Sequence, residues 1–232
     1  MTGLLPFGPS LWLADGATAT VAGFRYPTRM VVIRLASGGS VLWSPVAARD
    51  ALVAEVAALG PVEEIVAPNH LHHLWISDWA GRFPEARALA APGLAAKRPD
   101  LALDGLLSAP WPDSWAGTLD AVTVPGNRIT TEIVAFHAPS GTVLFTDLIQ
   151  QLPPEANTGW RGAVARLDRM TGPRPQVPLK FRLAQTDRRA GRAAVRRILD
   201  WPIRQAVFAH GPPVTADAHG VVAEAFDWLG VA

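Results

Sequence analysis

Histidines cluster in Val66-Ala67-Pro68-Asn69-His70-Leu71-His72-His73-Leu74-Trp75, a segment that holds three of the six in the chain. The largely apolar run 64–67 predicts a buried strand, which ends at Pro68 because proline disfavours helical geometry in the residue before it. A helix is predicted over residues 76–83. Adjacent histidines in an irregular loop or a first helical turn can both reach one metal ion. From this segment alone, a metal site and a set of ordinary surface or core histidines remain equally open.

Outward from this segment, the chain consists of two runs of strands, each followed by helices. Apolar and β-branched patterns predict strands over residues 11–15, 26–35, 40–45, 63–67, 88–91, 120–124, 132–137, 142–146 and 205–209. Apolar residues at helical spacing predict further helices over 49–59, 159–170, 187–199 and 216–229. Asp187 lies near the N-cap of the third of these, and Pro202 follows its end.

Composition narrows the classes of protein and of site. The 232 residues are 49% hydrophobic, enough for a sizeable core. The net charge of +1 predicts no nucleic-acid partner, and the arginine row Arg188, Arg192 and Arg196 is interpreted as a solvated helix face. Without cysteine, any metal must be held by histidine and carboxylate. With no signal peptide in residues 1–9 and no apolar run of membrane-spanning length, we expect a cytoplasmic protein without a membrane partner.

Four segments follow one another in the chain: His72-His73 with residues 82–92, Val124-Pro125-Gly126-Asn127, Ser140-Gly141-Thr142-Val143-Leu144-Phe145-Thr146-Asp147, and Val207-Phe208-Ala209-His210-Gly211-Pro212. In this order they resemble the metallo-β-lactamase superfamily. The Pro-Asn-x-x-His-His form is similar to a divergent branch of that superfamily, domain of unknown function 4336. The resemblance implies an α/β (α+β) fold, an αββα sandwich of two mixed β-sheets flanked by helices, in one domain over residues 1–232.

The family can hold two metal ions, and its ligands are carried over position by position. In the first site, two ligand positions fall on Pro68, which cannot ligate, and on Asn127, a poor ligand, so only His70 remains. That site is therefore expected to be empty. The second site keeps four ligands by this resemblance: His72, His73, Asp147 and His210.

The resemblance thus implies one divalent ion. Three imidazoles and a carboxylate suit zinc, the expected ion, and also iron or manganese if water completes a larger shell. Zinc with four protein ligands is a closed, structural arrangement, so catalysis requires either a loosely held Asp147 or five-coordination. The family's histidine motif can also be aligned with His70 and His72 as its first two histidines. We prefer the alignment given above, because it places His73 at the distance before the Phe83-Pro84 turn that the resemblance leads us to expect.

Two functions from different classes stay open. The first is metal-assisted hydrolysis of a small ester, lactone, thioester or phosphoester, with Asp147 also counted as catalytic. In this hypothesis His70 acts as base or leaving-group acid, and Asn127 donates to the developing oxyanion. The second is a non-catalytic protein that binds a small molecule or partner in the cleft of the metallo-β-lactamase fold. A di-iron redox protein is a weaker third, because one metal's ligands are missing.

Other conspicuous residues have plainer interpretations. His137 is interpreted as a packing or surface residue, and His219 as an exposed one. The tryptophans at 75, 79, 111, 115 and 160 are expected in the core, with the alternative that some line a cleft for an apolar or aromatic substrate. The substrate and the oligomeric state do not follow from the sequence.

Overall fold

A computed structural model describes residues 3–231. The strands are β1 Leu5–Gly8, β2 Leu11–Asp15, β3 Ala19–Val21, β4 Phe24–Tyr26, β5 Arg29–Arg34, β6 Ser40–Trp43, β7 Val62–Ala67, β8 Arg87–Ala90, β9 Gly105–Leu106, β10 Leu119–Val124, β11 Glu132–His137, β12 Thr142–Phe145 and β13 Gln205–Phe208. The helices are α1 Asp50–Ala57, α2 Ile76–Arg82, α3 Leu94–Lys97, α4 Gly159–Leu167, α5 Leu179–Ala184, α6 Arg188–Leu199 and α7 Ala218–Ala225. No helix within residues 3–231 has the length and hydropathy to cross a membrane.

The chain divides into two compact units. The first comprises Met1–Ala17, Arg29–Asp120 and Ala138–Ser140, and the second comprises Thr18–Thr28, Ala121–His137 and Gly141–Ala232. Each unit contains one mixed sheet with its own helices. The predicted fold class, α/β with two mixed sheets and flanking helices, is confirmed.

The sheet of the first unit has seven strands in the order β1-β2-β5-β6-β7-β8-β9. Its first half is antiparallel, and β6 to β9 run parallel. The last four residues of β7, 64–67, are buried, as expected for a strand covered on both faces. The histidine loop leaves the carboxyl end of β7 and enters α2. Trp79 of α2 is fully buried and donates its indole N–H to the carbonyl of Val46 at 2.6 Å, which fixes α2 to this unit.

The sheet of the second unit has four strands in the order β10-β11-β12-β13. Strand β12 pairs antiparallel with β11 and parallel with β13, with Phe145 opposite Phe208. Two parallel neighbours end at the same edge of a sheet, so the residues after them lie together. Asp147 follows β12 and His210 follows β13 by two residues each.

The predicted bounds of three elements were wrong. The strand predicted over 26–35 begins at Arg29, because Tyr26 belongs to the β3–β4 hairpin, where it pairs with Ala19. That hairpin turns at Ala22 and Gly23, both with positive φ. The helix predicted to reach residue 170 ends at Leu167, and the closing helix ends at Ala225 before a 3-10 turn. Strand β1 and helix α5 were not predicted.

Candidate metal centre

Asn69 organises the loop that carries the histidines of the first unit. Its side chain is fully buried, and its Oδ1 accepts hydrogen bonds from the backbone N–H of Leu71 at 2.7 Å and of His72 at 3.1 Å. An asparagine that bonds the backbone two residues ahead forms a turn by itself. Asn69 therefore sets the backbone from which His72 projects.

Ser44, just beyond β6, orients the His72 ring. Its Oγ lies 2.7 Å from Nδ1 of His72 and 3.3 Å from the carbonyl oxygen of Arg29. A hydroxyl has one proton, and a carbonyl oxygen only accepts. If that proton goes to Arg29, Nδ1 of His72 is the donor to Ser44. The Nε2 lone pair of His72 is then the ligand atom, since outer hydrogen bonds of this kind fix the tautomer of metal-binding histidines.

His210 has the same arrangement in the second unit. Its Nδ1 lies 2.7 Å from the carbonyl oxygen of Pro27, so Nδ1 carries the proton. Its Nε2 lies 3.4 Å from Oδ1 of Asp147, and both side chains are buried. The Tyr26 ring packs against the imidazole with centroids 5.2 Å apart. His210 thus presents Nε2 beside a carboxylate.

Glu132 fixes the loop that carries Asp147. This glutamate in β11 is fully buried, and its carboxylate accepts backbone N–H bonds from Thr146 at 2.8 Å, Asp147 at 2.8 Å and Leu148 at 3.1 Å. Burial and the neighbouring Asp147 carboxylate raise the pKa of Glu132. The Nε2 of Gln150 donates to Oδ1 of Asp147 at 3.3 Å. Sequence analysis missed Glu132; the available signal was a single carboxylate in an otherwise apolar strand.

His73 faces a cation of its own unit. Nη1 of Arg98 lies 2.9 Å from Nδ1 of His73, and a guanidinium only donates, so Nδ1 accepts. Burial, with Lys97 and Arg98 adding to it, lowers the pKa of His73 to about 4. The ring is therefore neutral, with its proton on Nε2. To ligate a metal through Nε2, His73 would have to change tautomer and release Arg98.

The two residues predicted to assist catalysis occupy different surroundings. His70 is half-buried in the first unit, and its backbone carbonyl accepts a hydrogen bond from Nζ of Lys97 at 3.0 Å. Asn127, in the second unit, donates from Nδ2 to the carbonyl of Phe181 at 2.8 Å and to Oε1 of Gln185 at 3.4 Å. Its amide thus joins the loop after β10 to α5.

The remaining histidines have structural surroundings. His137 is fully buried in β11, and burial lowers its pKa to about 4. His219 is exposed on α7, with Nε2 lying 2.9 Å from the carbonyl oxygen of Leu199. Both agree with their sequence interpretations. Of the tryptophans considered, Trp79 and Trp115 are core residues, whereas Trp160 is 63% exposed.

Among residues 3–231, one group of three or more acidic or histidine side chains is a candidate to hold a metal ion: His72, Asp147 and His210. It contains three of the four ligands predicted from the resemblance. Imidazole nitrogen with carboxylate oxygen is a donor set for zinc and also for iron or manganese. The donor chemistry of these residues therefore fits a divalent ion.

Comparison with known proteins agrees with this fold. A family model described as a domain of unknown function (DUF4336) matches residues 10–159. The whole chain superposes on a metallo-β-lactamase from Pontibacter korlensis at a TM-score of 0.66 and 13% identity, covering 100% of both chains.

Two further solved structures share the fold. The metallo-β-lactamase FIM-1 from Pseudomonas aeruginosa, in its mono-zinc form, matches at a TM-score of 0.63 and 13% identity, covering 100% of this chain and 97% of the other. The flavodiiron core of Flv1 from Synechocystis sp. PCC6803 matches at 0.65 and 12% identity, covering 99% of this chain and 61% of the other. No curated protein is similar in sequence. At these identities the similarity establishes the fold alone.

Proposed function

We propose that this chain, which belongs to the DUF4336 family and has the metallo-β-lactamase fold, is a mononuclear metal-dependent hydrolase. The observation that carries the proposal is the shared chemistry of two histidines. His72 and His210 each have an outer partner at Nδ1, the Ser44 hydroxyl and the Pro27 carbonyl, both at 2.7 Å. Metal-binding histidines that ligate through Nε2 have such an outer hydrogen bond at Nδ1, and both of these rings have one.

The proposed ligands are His72, Asp147 and His210. Three protein ligands leave a coordination position for water or substrate, which is the pattern of catalytic zinc sites. A fourth ligand, His73, would close the site, and its hydrogen bond with Arg98 supports the three-ligand set. With three protein ligands, catalysis no longer requires a loosely held Asp147 or a five-coordinate ion.

We propose one ion per chain, with zinc expected and iron or manganese as alternatives. Two positions of the family's first site hold Pro68, which has no side-chain donor atom, and Asn127, whose amide donates to Phe181 and Gln185. A divalent ion held by His72, Asp147 and His210 would act as a Lewis acid and would lower the pKa of bound water from about 15.7 towards roughly 7.

The chain's own residues would guide the proton and the developing charge. His70 is proposed to take a proton from the attacking water or give one to the leaving group, as an imidazole of the histidine loop that does not ligate the ion. Asn127 is proposed to donate to the oxyanion, which requires it to exchange its longer bond, to Gln185 at 3.4 Å. In the reaction, the water oxygen would bond to the electrophilic carbon or phosphorus, the bond to the leaving group would break, and the leaving group would take a proton from the water.

The alternative function is a binding protein that has kept the fold. The loss of the first site's ligands at Pro68 and Asn127 favours this alternative. The same losses argue against a two-metal redox protein, because they leave too few ligands for a second ion. The binding and hydrolytic alternatives differ in turnover, not in metal content.

Turnover on a substrate panel tests the proposal. The zinc-loaded protein, His72→Ala and the control His219→Ala would be assayed with an ester, a lactone, a thioester and a phosphodiester. We expect at least one substrate to be hydrolysed by wild type and His219→Ala, with loss of about 100-fold or more in His72→Ala. Equal rates in wild type and His72→Ala would refute metal-assisted hydrolysis. A metal-loaded protein inactive on every substrate would favour the binding function.

A further inference from the structure

An apolar groove lies in the second unit, on the side of the β3–β4 hairpin that faces α4 and α5. Its volume is about 500 Å³, within the range typical of small-molecule pockets, roughly 300–1,000 Å³. Aliphatic side chains from all three elements line it, among them Val21, Leu167 and Leu183. The groove is therefore large enough for a small molecule and has an aliphatic wall.

The exposure of these side chains is unusual. Val21 is 56% exposed, Leu167 75% and Leu183 77%. Five of the nine large apolar residues that are exposed within residues 3–231 line this one groove. Contiguous exposed apolar surface on a folded protein commonly marks a binding site. Covering this surface with an apolar ligand removes it from water, which is favourable.

The polar groups of the groove are matched with each other. Nζ of Lys180 lies 2.9 Å from Oδ2 of Asp168, and the backbone N–H of Lys180 donates to Oδ1 of the same carboxylate at 2.7 Å. The groove thus presents no unmatched charge from this pair. A neutral, aliphatic occupant fits this lining better than a charged one.

Tyr26 connects the groove to a proposed metal ligand of the same unit. Tyr26 lines the groove, and its ring packs on His210 with centroids 5.2 Å apart. The next residue, Pro27, accepts the hydrogen bond from His210. A chain whose end lies against Tyr26 would therefore have that end one side chain away from His210.

We infer that this groove binds the aliphatic chain of an acyl substrate, whose ester, lactone or thioester carbonyl is the group hydrolysed. The inference rests on the proposed hydrolase function and narrows its substrates from acyl and phosphoryl compounds to acyl compounds with an apolar chain. The phosphodiester of the substrate panel is then a poor substrate.

The test separates binding of the chain from turnover. Calorimetry of the holoprotein with the neutral primary amides of butanoic, hexanoic, octanoic and decanoic acids measures chain binding directly, and kcat/KM on p-nitrophenyl esters of the same acids measures its use. We expect affinity to rise about two- to fourfold per added methylene until the groove is filled. Leu183→Asp and Leu167→Asp should abolish this rise. Leu106→Asp, at a residue 63% exposed on β9 of the first unit, is the matched control and should keep it.

The outcomes distinguish the groove from the function. Chain-length-dependent binding that persists in Asp147→Asn, with no turnover in wild type, would support the groove and refute the hydrolase. Turnover without chain-length dependence, or unchanged binding in Leu183→Asp, would keep the hydrolase and overturn the groove. A dimer in sedimentation velocity that Leu183→Asp dissociates and Leu106→Asp does not would also overturn it, because a second copy would then cover this surface.

Discussion

Replacing Glu132 by glutamine exchanges one of the two acceptor oxygens that hold the Asp147 loop for an NH₂ group while keeping the shape of the side chain. The carboxylate accepts three backbone N–H bonds, from Thr146, Asp147 and Leu148. A buried N–H left without its acceptor costs about 1–3 kcal/mol. The glutamine oxygen can still accept, but its NH₂ group faces backbone donors, so one or two bonds are lost. We expect the free energy of unfolding to fall by about 2–5 kcal/mol.

The same substitution should weaken metal binding without touching a proposed ligand. Loss of a residue that orients a ligand typically lowers metal affinity by about 10–100-fold. Zinc affinity measured by competition with a chromophoric chelator, under conditions where the variant remains folded, gives this number. Guanidinium unfolding of the metal-free protein gives the stability change separately.

Glu64→Gln is the matched control. Glu64 is equally buried, in β7 of the first unit, and its carboxylate accepts from Trp115 Nε1 at 2.6 Å and Arg87 Nη2 at 2.5 Å. It should lose stability without a comparable loss of zinc affinity. Zinc affinity unchanged within about twofold in Glu132→Gln, or lowered equally in both variants, would refute the positioning role.

Three further predictions concern single histidines and their partners. Ser44→Ala should lower zinc affinity about 10-fold by freeing the His72 ring, whereas Ser40→Ala, on the preceding strand, should not; equal affinities would exclude the orienting bond. His73→Ala should keep its metal in elemental analysis, because Arg98 holds that ring; loss of the metal would restore His73 as a ligand. His137 is protonated more readily unfolded than folded, since its folded pKa of about 4 is below its ordinary value of 6.5. Between pH 7 and pH 5, the free energy of unfolding of wild type should therefore fall by up to about 2 kcal/mol more than that of His137→Leu, as measured by urea unfolding. Identical pH profiles for the two proteins would contradict this.

Local patterns in the sequence predict the elements that carry the site. The strand over 62–67 and the helix from Ile76 follow from an apolar run, a proline and helical spacing. Asp187 was predicted near an N-cap, and its side chain accepts from the backbone N–H of Ala190. The ligand positions came from the resemblance and not from periodicity, since no local pattern distinguishes Asp147 from another loop aspartate.

Contacts between residues far apart in the chain were not predictable. Glu132 is the first residue of β11, and its role depends on a loop whose first bonded residue, Thr146, lies 14 residues later. Ser44 meets His72 across 28 residues. The β3–β4 hairpin was missed because its strands have three residues each, too few for alternation to show. The resulting groove combines segments separated by more than 100 residues.

Metal content is the most direct test of the central claim, that His72, Asp147 and His210 hold one ion. Elemental analysis would be made on protein purified without chelator or a metal-binding tag, beside His72→Ala, Asp147→Ala, His210→Ala and the control His219→Ala. The account predicts about one ion per chain in wild type and in His219→Ala, and loss of the ion in each of the other three variants. Two ions in wild type, retention in any of the three ligand variants, or no ion even after reconstitution would contradict it.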